Sequence, residues 1–380
     1  SVRRRTVTSR FSEIYVGVRR NMREQQKIRV LVIDDSAVMR QLLSAILSED
    51  PAIDVVGTAS DPLIAREKIK ILKPHVLTLD VEMPGMDGLT FLERLMRLHP
   101  LPVVMVSSFT DKGAQATIRA LELGAVDFVT KPSRDVRVGI QELAQEIRDK
   151  VHAAMHARVQ APGLDRETLS CSPPPISMSP AASDRVVVIG ASAGGTQAIA
   201  EILELLPAHA PAIAIVQHMP PKFTELFAAN LDKRCRLNVS EAVDGEFLRP
   251  GNARIAPGGQ QMELMRGSEA FGLRVYPGGQ VHRHCPSVDV LFNSTACCAG
   301  KSALGILLTG MGNDGAKGLL AMWRNGAHTV AQDEATSVIF GMPDQAIRLG
   351  AAREVLGLGE IAACIMRWAS SDQPWMATST

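Results

Sequence analysis

Two sets of residues in this chain are spaced to do chemistry. The first is Asp34, Asp35, Asp80, Ser107 and Lys131, which close or follow the short apolar runs IRVLVID, HVLTLD, PVVMVSS and AVDFVT. Three carboxylates brought to one place invite a divalent cation, and hard oxygen donors with an open coordination sphere suit Mg²⁺. Asp80 is then the nucleophile for an incoming phosphoryl group. Lys131 pairs with one phosphoryl oxygen, and the Ser107 hydroxyl moves to bond another. The second set is Ser192 in GASAGG, His218 in VQHMP and Asp314 in GMGNDG. Serine is a poor nucleophile near neutral pH unless a base lies within hydrogen-bond reach, and the base needs an acceptor to hold its tautomer. Ser192, His218 and Asp314 fill those three roles. Taken alone, GASAGG has two rival readings, a dinucleotide loop and a structural glycine turn. The first lacks its second glycine, which is Ser192, and its acid about 20 residues on, near Val216.

These residues need strand ends to hold them. From Lys27 the chain alternates strand and helix. The strand IRVLVID is followed by a helix with Met39, Leu42, Leu43, Ile46 and Leu47 on one face. IDVVGTA, HVLTLD, PVVMVSS and AVDFVT follow with helices between, and a last helix runs from about Asp135 to Ala157. Five such units predict one doubly wound parallel sheet with its ligands at the carboxyl ends of the strands. Isolated helix caps would not align on one sheet edge. A stretch rich in Pro and Ser, VQAPGLDRETLSCSPPPISMSPAASD, reads as an extended linker. Alternation then resumes with strands at RVVVIG, AIAIVQ, ALGILLT and HTVAQD. Between about residues 236 and 285, short β-like pieces and two Gly-Gly turns predict a hairpin insertion. The expected segments are a basic leader (1–26), a first domain (27–148), a linker (149–184), a second domain (185–370) and a tail (371–380).

Composition narrows the function. The chain has 380 residues, 46% hydrophobic and 21% charged, as in folded domains rather than disordered or fibrous chains. No apolar run reaches the roughly 18 residues of a bilayer crossing, and the start lacks a secretory apolar core, so a cytoplasmic protein is expected. The six cysteines show no disulfide or zinc spacing. The net charge of +1 hides a leader with seven basic and two acidic residues, while residues 185–380 hold 16 basic and 17 acidic. Neither domain is basic, which counts against a nucleic-acid-binding output. The leader reads as an arm for acidic surfaces, or as disordered chain before a true start at Met22. His282 and His284 lack the further ligands of a metal site and read as a polar loop near the active site. Ser287 and Asp289 are candidates for substrate contact, with Asp289 alternatively capping the helix after Pro286. Cys297 and Cys298 read as packed on a helix.

The strand-end pattern of Asp34-Asp35, Asp80, Ser107 and Lys131-Pro132 resembles the receiver domain of two-component response regulators over about 120 residues. That resemblance implies a histidine kinase as phosphodonor to Asp80 and a backbone carbonyl of Glu82 beside Asp34, Asp35 and Asp80 in the Mg²⁺ site. It also implies Phe128 as an aromatic switch with Ser107 and Lys131. The strings GASAGG, VQHMP, IAPGG, HCPSVDVLF and LLTGMGNDG resemble the catalytic domain of the chemotaxis protein-glutamate methylesterases, which are also protein-glutamine deamidases. The order Ser, His, Asp differs from the Ser, Asp, His of α/β-hydrolases. The resemblance implies a flavodoxin-like receiver, a Rossmann-like methylesterase domain, a triad of Ser192, His218 and Asp314, and an oxyanion-hole amide at Met311. It further implies methyl-accepting chemoreceptors as substrate, membrane association only through them, and an esterase reaction that needs no cofactor. A non-catalytic receptor-binding scaffold is the competing reading, and Ser192→Ala separates the two.

Overall fold

The computed structural model describes residues 27–83, 87–108, 110–131, 139–159, 185–267 and 270–371. The Arg-rich leader, the Pro/Ser-rich stretch from 160, Pro132 and the tail after 371 lie outside the described residues.

The first sheet is built from β1 (Ile28–Ile33), β2 (Ile53–Ala59), β3 (Val76–Asp80), β4 (Val103–Ser107) and β5 (Asp127–Thr130). Its helices are α1 (Ala37–Ser48), α2 (Pro62–Leu72), α3 (Gly88–Leu98), α4 (Asp111–Glu122) and α5 (Gly139–Met155). The order is β2-β1-β3-β4-β5, all parallel. Every residue of β3 and β4 is buried, as expected of central strands covered on both faces. The helices start where side chains cap them. Ser36 accepts from the N–H of Met39, Asp61 precedes Pro62 at the first helical position, and Asp87 and Thr110 cap α3 and α4. The sheet reverses direction between β1 and β3, and Asp34 and Asp80 stand at that switch point. Helix α5 runs on to Met155, through residue 148, where the first domain was expected to end.

The second sheet has seven parallel strands. In chain order the elements are β6 (Val186–Ala191), α6 (Gly195–Leu205), β7 (Ala212–Gln217), α7 (Phe223–Asp232), β8 (Asn238–Glu241) and β9 (Asn252–Ile255). A hairpin of β10 (Gln261–Arg266) and β11 (Phe271–Tyr276) follows, then α8 (Val288–Cys298) and β12 (Ala303–Leu307). The chain ends with α9 (Ala316–Arg324), β13 (His328–Gln332), α10 (Met342–Arg348), β14 (Glu354–Leu356) and α11 (Leu358–Ser370). The order is β14-β13-β12-β6-β7-β9-β8. Only part of the 236–285 segment is therefore a hairpin. β8 and β9 are too short to show a period in sequence, and they extend the main sheet in parallel beside β7.

The two halves meet over the carboxyl edge of the second sheet. The Phe128 and Phe223 rings stack with centroids 4.5 Å apart. Gln197 Nε2 donates to the carbonyl of Leu121 at 2.6 Å, and Arg234 pairs with Glu122 at 2.7 Å. Leu143, Ile147 and Val151 of α5 belong to one apolar cluster with Ala193 and Ile339, against which Met311 and Val338 also pack.

Candidate functional site

At the first sheet edge, Lys131 Nζ lies 2.7 Å from Asp80 Oδ2 and 3.0 Å from Asp34 Oδ2. Asp34 and Asp80 are buried and Asp35 is exposed, and ligand oxygens of all three lie within 4.8 Å of one another. Burial pushes the Asp80 carboxyl up to about 6, against the opposing pull of Lys131 and with a further push from Asp34. Burial alone would lower the Lys131 ammonium, but Asp80 and Asp34 outweigh it and raise it. Asp34 Oδ2 accepts no hydrogen bond and faces the ammonium alone. A cleft of about 560 Å³ opens over the group, lined by Asp35, Asp80, Glu82, Asp87, Lys112 and Lys131 among others. Three carboxylates with oxygens this close together, two of them lining an open cleft, fit a hard divalent cation. Glu82 donates its N–H to Asp80 Oδ1 at 3.2 Å, while its carboxylate accepts from Ser108. The buried Ser107 hydroxyl lies 3.1 Å from the Gly113 carbonyl and 3.3 Å from that of Ser108. Phe128 is buried under Phe223.

The second site lies at the corresponding switch point. β6 is flanked by β7 and β12, so Ser192, His218 and Asp314 leave three adjacent strand ends. The cross-strand pair Ala191–Gln217 sets Ser192 beside His218, and the His218 N–H donates to the Ala191 carbonyl at 3.1 Å. Gly194 takes a left-handed φ of 74° at the start of α6, where an added Cβ would sit 2.5 Å from the Cβ of Val338. No side chain caps α6, and its first amide, that of Gly195, donates to the Ser192 carbonyl at 2.8 Å.

His218 Nε2 lies 2.8 Å from Asp314 Oδ2, and both side chains are buried. Asp314 also accepts from Ser287 Oγ at 2.8 Å and from the N–H groups of Val288 and Asp289 at 2.8 and 3.0 Å. The carboxylate is thus seated on the N-terminus of α8, where the helix dipole favours a negative charge. Burial alone would raise its pKa, but His218 and the amides hold it at about 2. A charged Asp314 requires the proton of His218 on Nε2. That leaves Nδ1 as the basic nitrogen, and it is buried without a hydrogen-bond partner. Among the described residues no hydrogen bond joins Ser192 Oγ to His218. Such bonds are often long in resting enzymes and tighten with substrate.

The amides of the turn are unequally available. The Ser192 N–H is spent on the Thr309 carbonyl at 3.0 Å. The Gly194 N–H donates to the Val126 carbonyl, in the first sheet's half, at 3.3 Å. Among the described residues the N–H groups of Met311 and Ala193 donate to nothing.

Four contributors escaped the sequence reading in whole or part. Gln217 Nε2 donates to the Ser192 carbonyl at 2.9 Å and fixes the turn from below. Thr309 Oγ1 lies 3.0 Å from the Ala193 carbonyl and accepts the Ile339 N–H at 2.9 Å. Ser287 Oγ donates to Asp314 Oδ1 at 2.8 Å. His284 lies face to face with His218. Their functions depend on cross-strand register, which no local motif records. Asp289 does not cap its own helix, since it accepts from the Gly318 N–H of α9 at 2.6 Å and from His282 at 3.0 Å.

A family model described as CheB methylesterase matches residues 187–365, and one described as response regulator receiver domain matches residues 30–143. The protein-glutamate methylesterase/protein-glutamine glutaminase of Chromohalobacter salexigens is 52% identical over 345 residues, which is 91% of this chain and 97% of that protein. The protein of the same name from Salmonella typhi is 51% identical over 349 residues, 91% of this chain and 98% of its own. Among solved structures, the catalytic domain of Thermotoga maritima CheB methylesterase is 35% identical, spans 48% of this chain and 97% of that domain, and superposes with a TM-score of 0.47. Because identity of 51–52% extends over 91% of this chain and 97–98% of these relatives, the chain belongs to the protein-glutamate methylesterase/protein-glutamine glutaminase family.

Proposed function

We propose that Ser192, His218 and Asp314 are the catalytic triad that hydrolyses methyl esters of glutamate side chains on methyl-accepting chemoreceptors. The observation that carries this reading is the buried His218–Asp314 pair at 2.8 Å, which leaves Nδ1 as a base beside the Ser192 strand end. Nδ1 takes the Ser192 proton as Oγ attacks the γ-carbonyl carbon. Asp314, fixed by four hydrogen bonds, stabilises the imidazolium that forms. The oxyanion is held by the Met311 N–H, with the Ala193 N–H as the turn's remaining donor. The imidazolium then protonates the departing methoxide, and water, deprotonated by the same Nδ1, hydrolyses the glutamyl ester of Ser192. Each turnover converts one ester and one water into a carboxylate, a proton and methanol. With glutamine as substrate the leaving group is ammonia.

In the receiver, Asp34, Asp35 and Asp80, with the Glu82 carbonyl, would hold Mg²⁺, which when bound screens the charge of an incoming phosphoryl group. Asp80 is the phosphoryl acceptor from a histidine kinase, and Lys131 is the cation already paired with it. Ser107, Lys131 and Phe128 carry the switch. The Ser107 hydroxyl leaves Gly113 for the phosphoryl group, and Phe128 moves with it. That motion breaks the Phe128–Phe223 stack and frees the Gly194 turn from Val126. We assign residues 27–148 to the receiver, 149–184 to the linker and 185–370 to the esterase. The protein works in the cytoplasm and meets the membrane only through the receptors. Among the described residues no helix is long and apolar enough to cross a membrane.

The test is methanol release from receptor membranes carrying labelled methyl esters, by wild type and Ser192→Ala, each with and without acetyl phosphate. Release that requires Ser192 and rises with the phosphodonor supports the reading. Equal release by both proteins overturns it.

A further inference from the structure

The turn from Val281 to Cys285 joins the β10–β11 hairpin to α8, and the mechanism above uses none of its side chains. It is closed in both directions, by Val281 N–H to the His284 carbonyl at 3.0 Å and by His284 N–H to the Val281 carbonyl at 2.9 Å. Its two central residues, His282 and Arg283, take left-handed φ angles of 51° and 66°. Turns of this kind ordinarily use Asn or Gly there, so the conformation is costly for the residues present and must be held from outside. His282 Nε2 is held by Asp289 Oδ2 at 3.0 Å, and Arg283 Nη1 by Asp149 Oδ2 of α5 at 3.0 Å. What this strained turn delivers is the His284 ring, laid on the His218 ring with centroids 3.7 Å apart and planes within 9°.

We propose that His284 is a positioning residue for the esterase reaction, whose ring face fixes the plane of His218 and stabilises the positive charge His218 acquires on taking the serine proton. This rests on the triad reading given above. The Asp314 bond holds only the Nε2 end of His218, and the terminal torsion of a histidine is broad, so one hydrogen bond does not settle where Nδ1 points. A parallel ring across the whole face does. The rings meet by their faces and not by their nitrogens, so no proton passes between them and His284 is not a second base.

An aromatic face attracts a cation only if its own ring is uncharged. Burial first, and then the neighbouring His218, hold His284 at about 3, so its ring is uncharged near neutral pH. The charged groups around it divide unevenly. Lys150 of α5 and Arg283 of its own turn disfavour a proton on His284, and Asp314 alone favours one.

The experiment compares wild type, His284→Ala, His284→Phe and Ser192→Ala as full-length chains, phosphorylated with acetyl phosphate and acting on methylated receptor membranes. His284→Ala is expected to lower kcat by about 10- to 30-fold, the range of a desolvated ring–cation contact, with KM unchanged within about two-fold. His284→Phe restores a neutral ring face and is expected to return kcat to within about three-fold of wild type. If His284→Ala loses its cooperative unfolding transition, His284→Gln takes its place, since it keeps length and polarity without a ring. Wild-type kcat in the ringless variant overturns the proposal, and so does a loss that phenylalanine fails to recover in a folded protein. Activity surviving in Ser192→Ala would instead overturn the triad reading itself.

Discussion

The ring of Phe128, from the receiver sheet, lies on the ring of Phe223 at the start of α7, with centroids 4.5 Å apart and planes inclined by 29°. Both residues are buried, so the receiver's aromatic side chain is packed into the wall of the domain it regulates. A contact of this type contributes about 0.5–1.5 kcal/mol beyond its buried area. Phe223→Leu keeps most of the apolar volume and removes the stack. It is expected to raise the unphosphorylated rate of methanol release roughly 2- to 10-fold and to leave the phosphorylated rate nearly unchanged. A variant with wild-type basal activity would show that the stack does not hold the domains together.

The Asp80 carboxylate has the Lys131 ammonium as its direct partner and a backbone N–H from Glu82. Asp80→Asn preserves shape and removes the proposed phosphoryl acceptor. Basal hydrolysis should stay within about two-fold of wild type, while the response to acetyl phosphate disappears. Stimulation that persists in this variant would place the phosphoryl group elsewhere.

Thr309 ties the serine turn to the loop before α10 through its single hydroxyl. Thr309→Val leaves the buried Ile339 N–H without an acceptor, at a cost of about 1–3 kcal/mol. The expected outcome is a lower urea midpoint together with a lower kcat, because the Ser192 N–H is anchored on the Thr309 carbonyl. A loss of stability with full kcat would mean that the turn keeps its shape without this brace.

Stability should also respond to acid through His284. The unfolded chain protonates this residue near 6.5 and the folded protein only near 3, because burial and His218 oppose the charge. Between those values the unfolded state binds more protons, so the folded state loses stability as the pH falls from 6.5 toward 3 and has its full contribution above 6.5. His284→Phe cannot take up the proton. Its unfolding free energy should therefore decline less steeply than that of wild type from about pH 6.5 to about pH 4, by at most about 1.4 kcal/mol per pH unit. Parallel slopes in urea titrations of the two proteins would remove His284 as the source.

Much of this was legible before any coordinates, for a physical reason. In a parallel sheet each strand is an unbroken apolar run, and the first polar residue after it marks the edge where ligands bind. Asp34, Asp80 and Ser192 are such residues, and His218 follows directly on its strand, so their types and order pointed to the site. Gln217 was hidden because it reads as the last residue of a strand, and only its pairing opposite Ala191 aims it at Ser192. His284 was hidden because its place depends on two left-handed residues with no glycine to announce them. The short β8 and β9 gave no period, and their membership in the main sheet is decided by pairing with β7.

The Gly194 N–H, at the head of the serine helix, is bonded to the carbonyl of Val126. On the proposed reading the receiver behaves as a ligand carried on the same chain, holding the serine turn at a local concentration fixed by the tether and not by expression level. Inhibition of this kind is insensitive to how many copies a cell makes. It also implies that an isolated receiver added in trans restrains the isolated esterase only weakly, because the connection between them supplies most of the restraint.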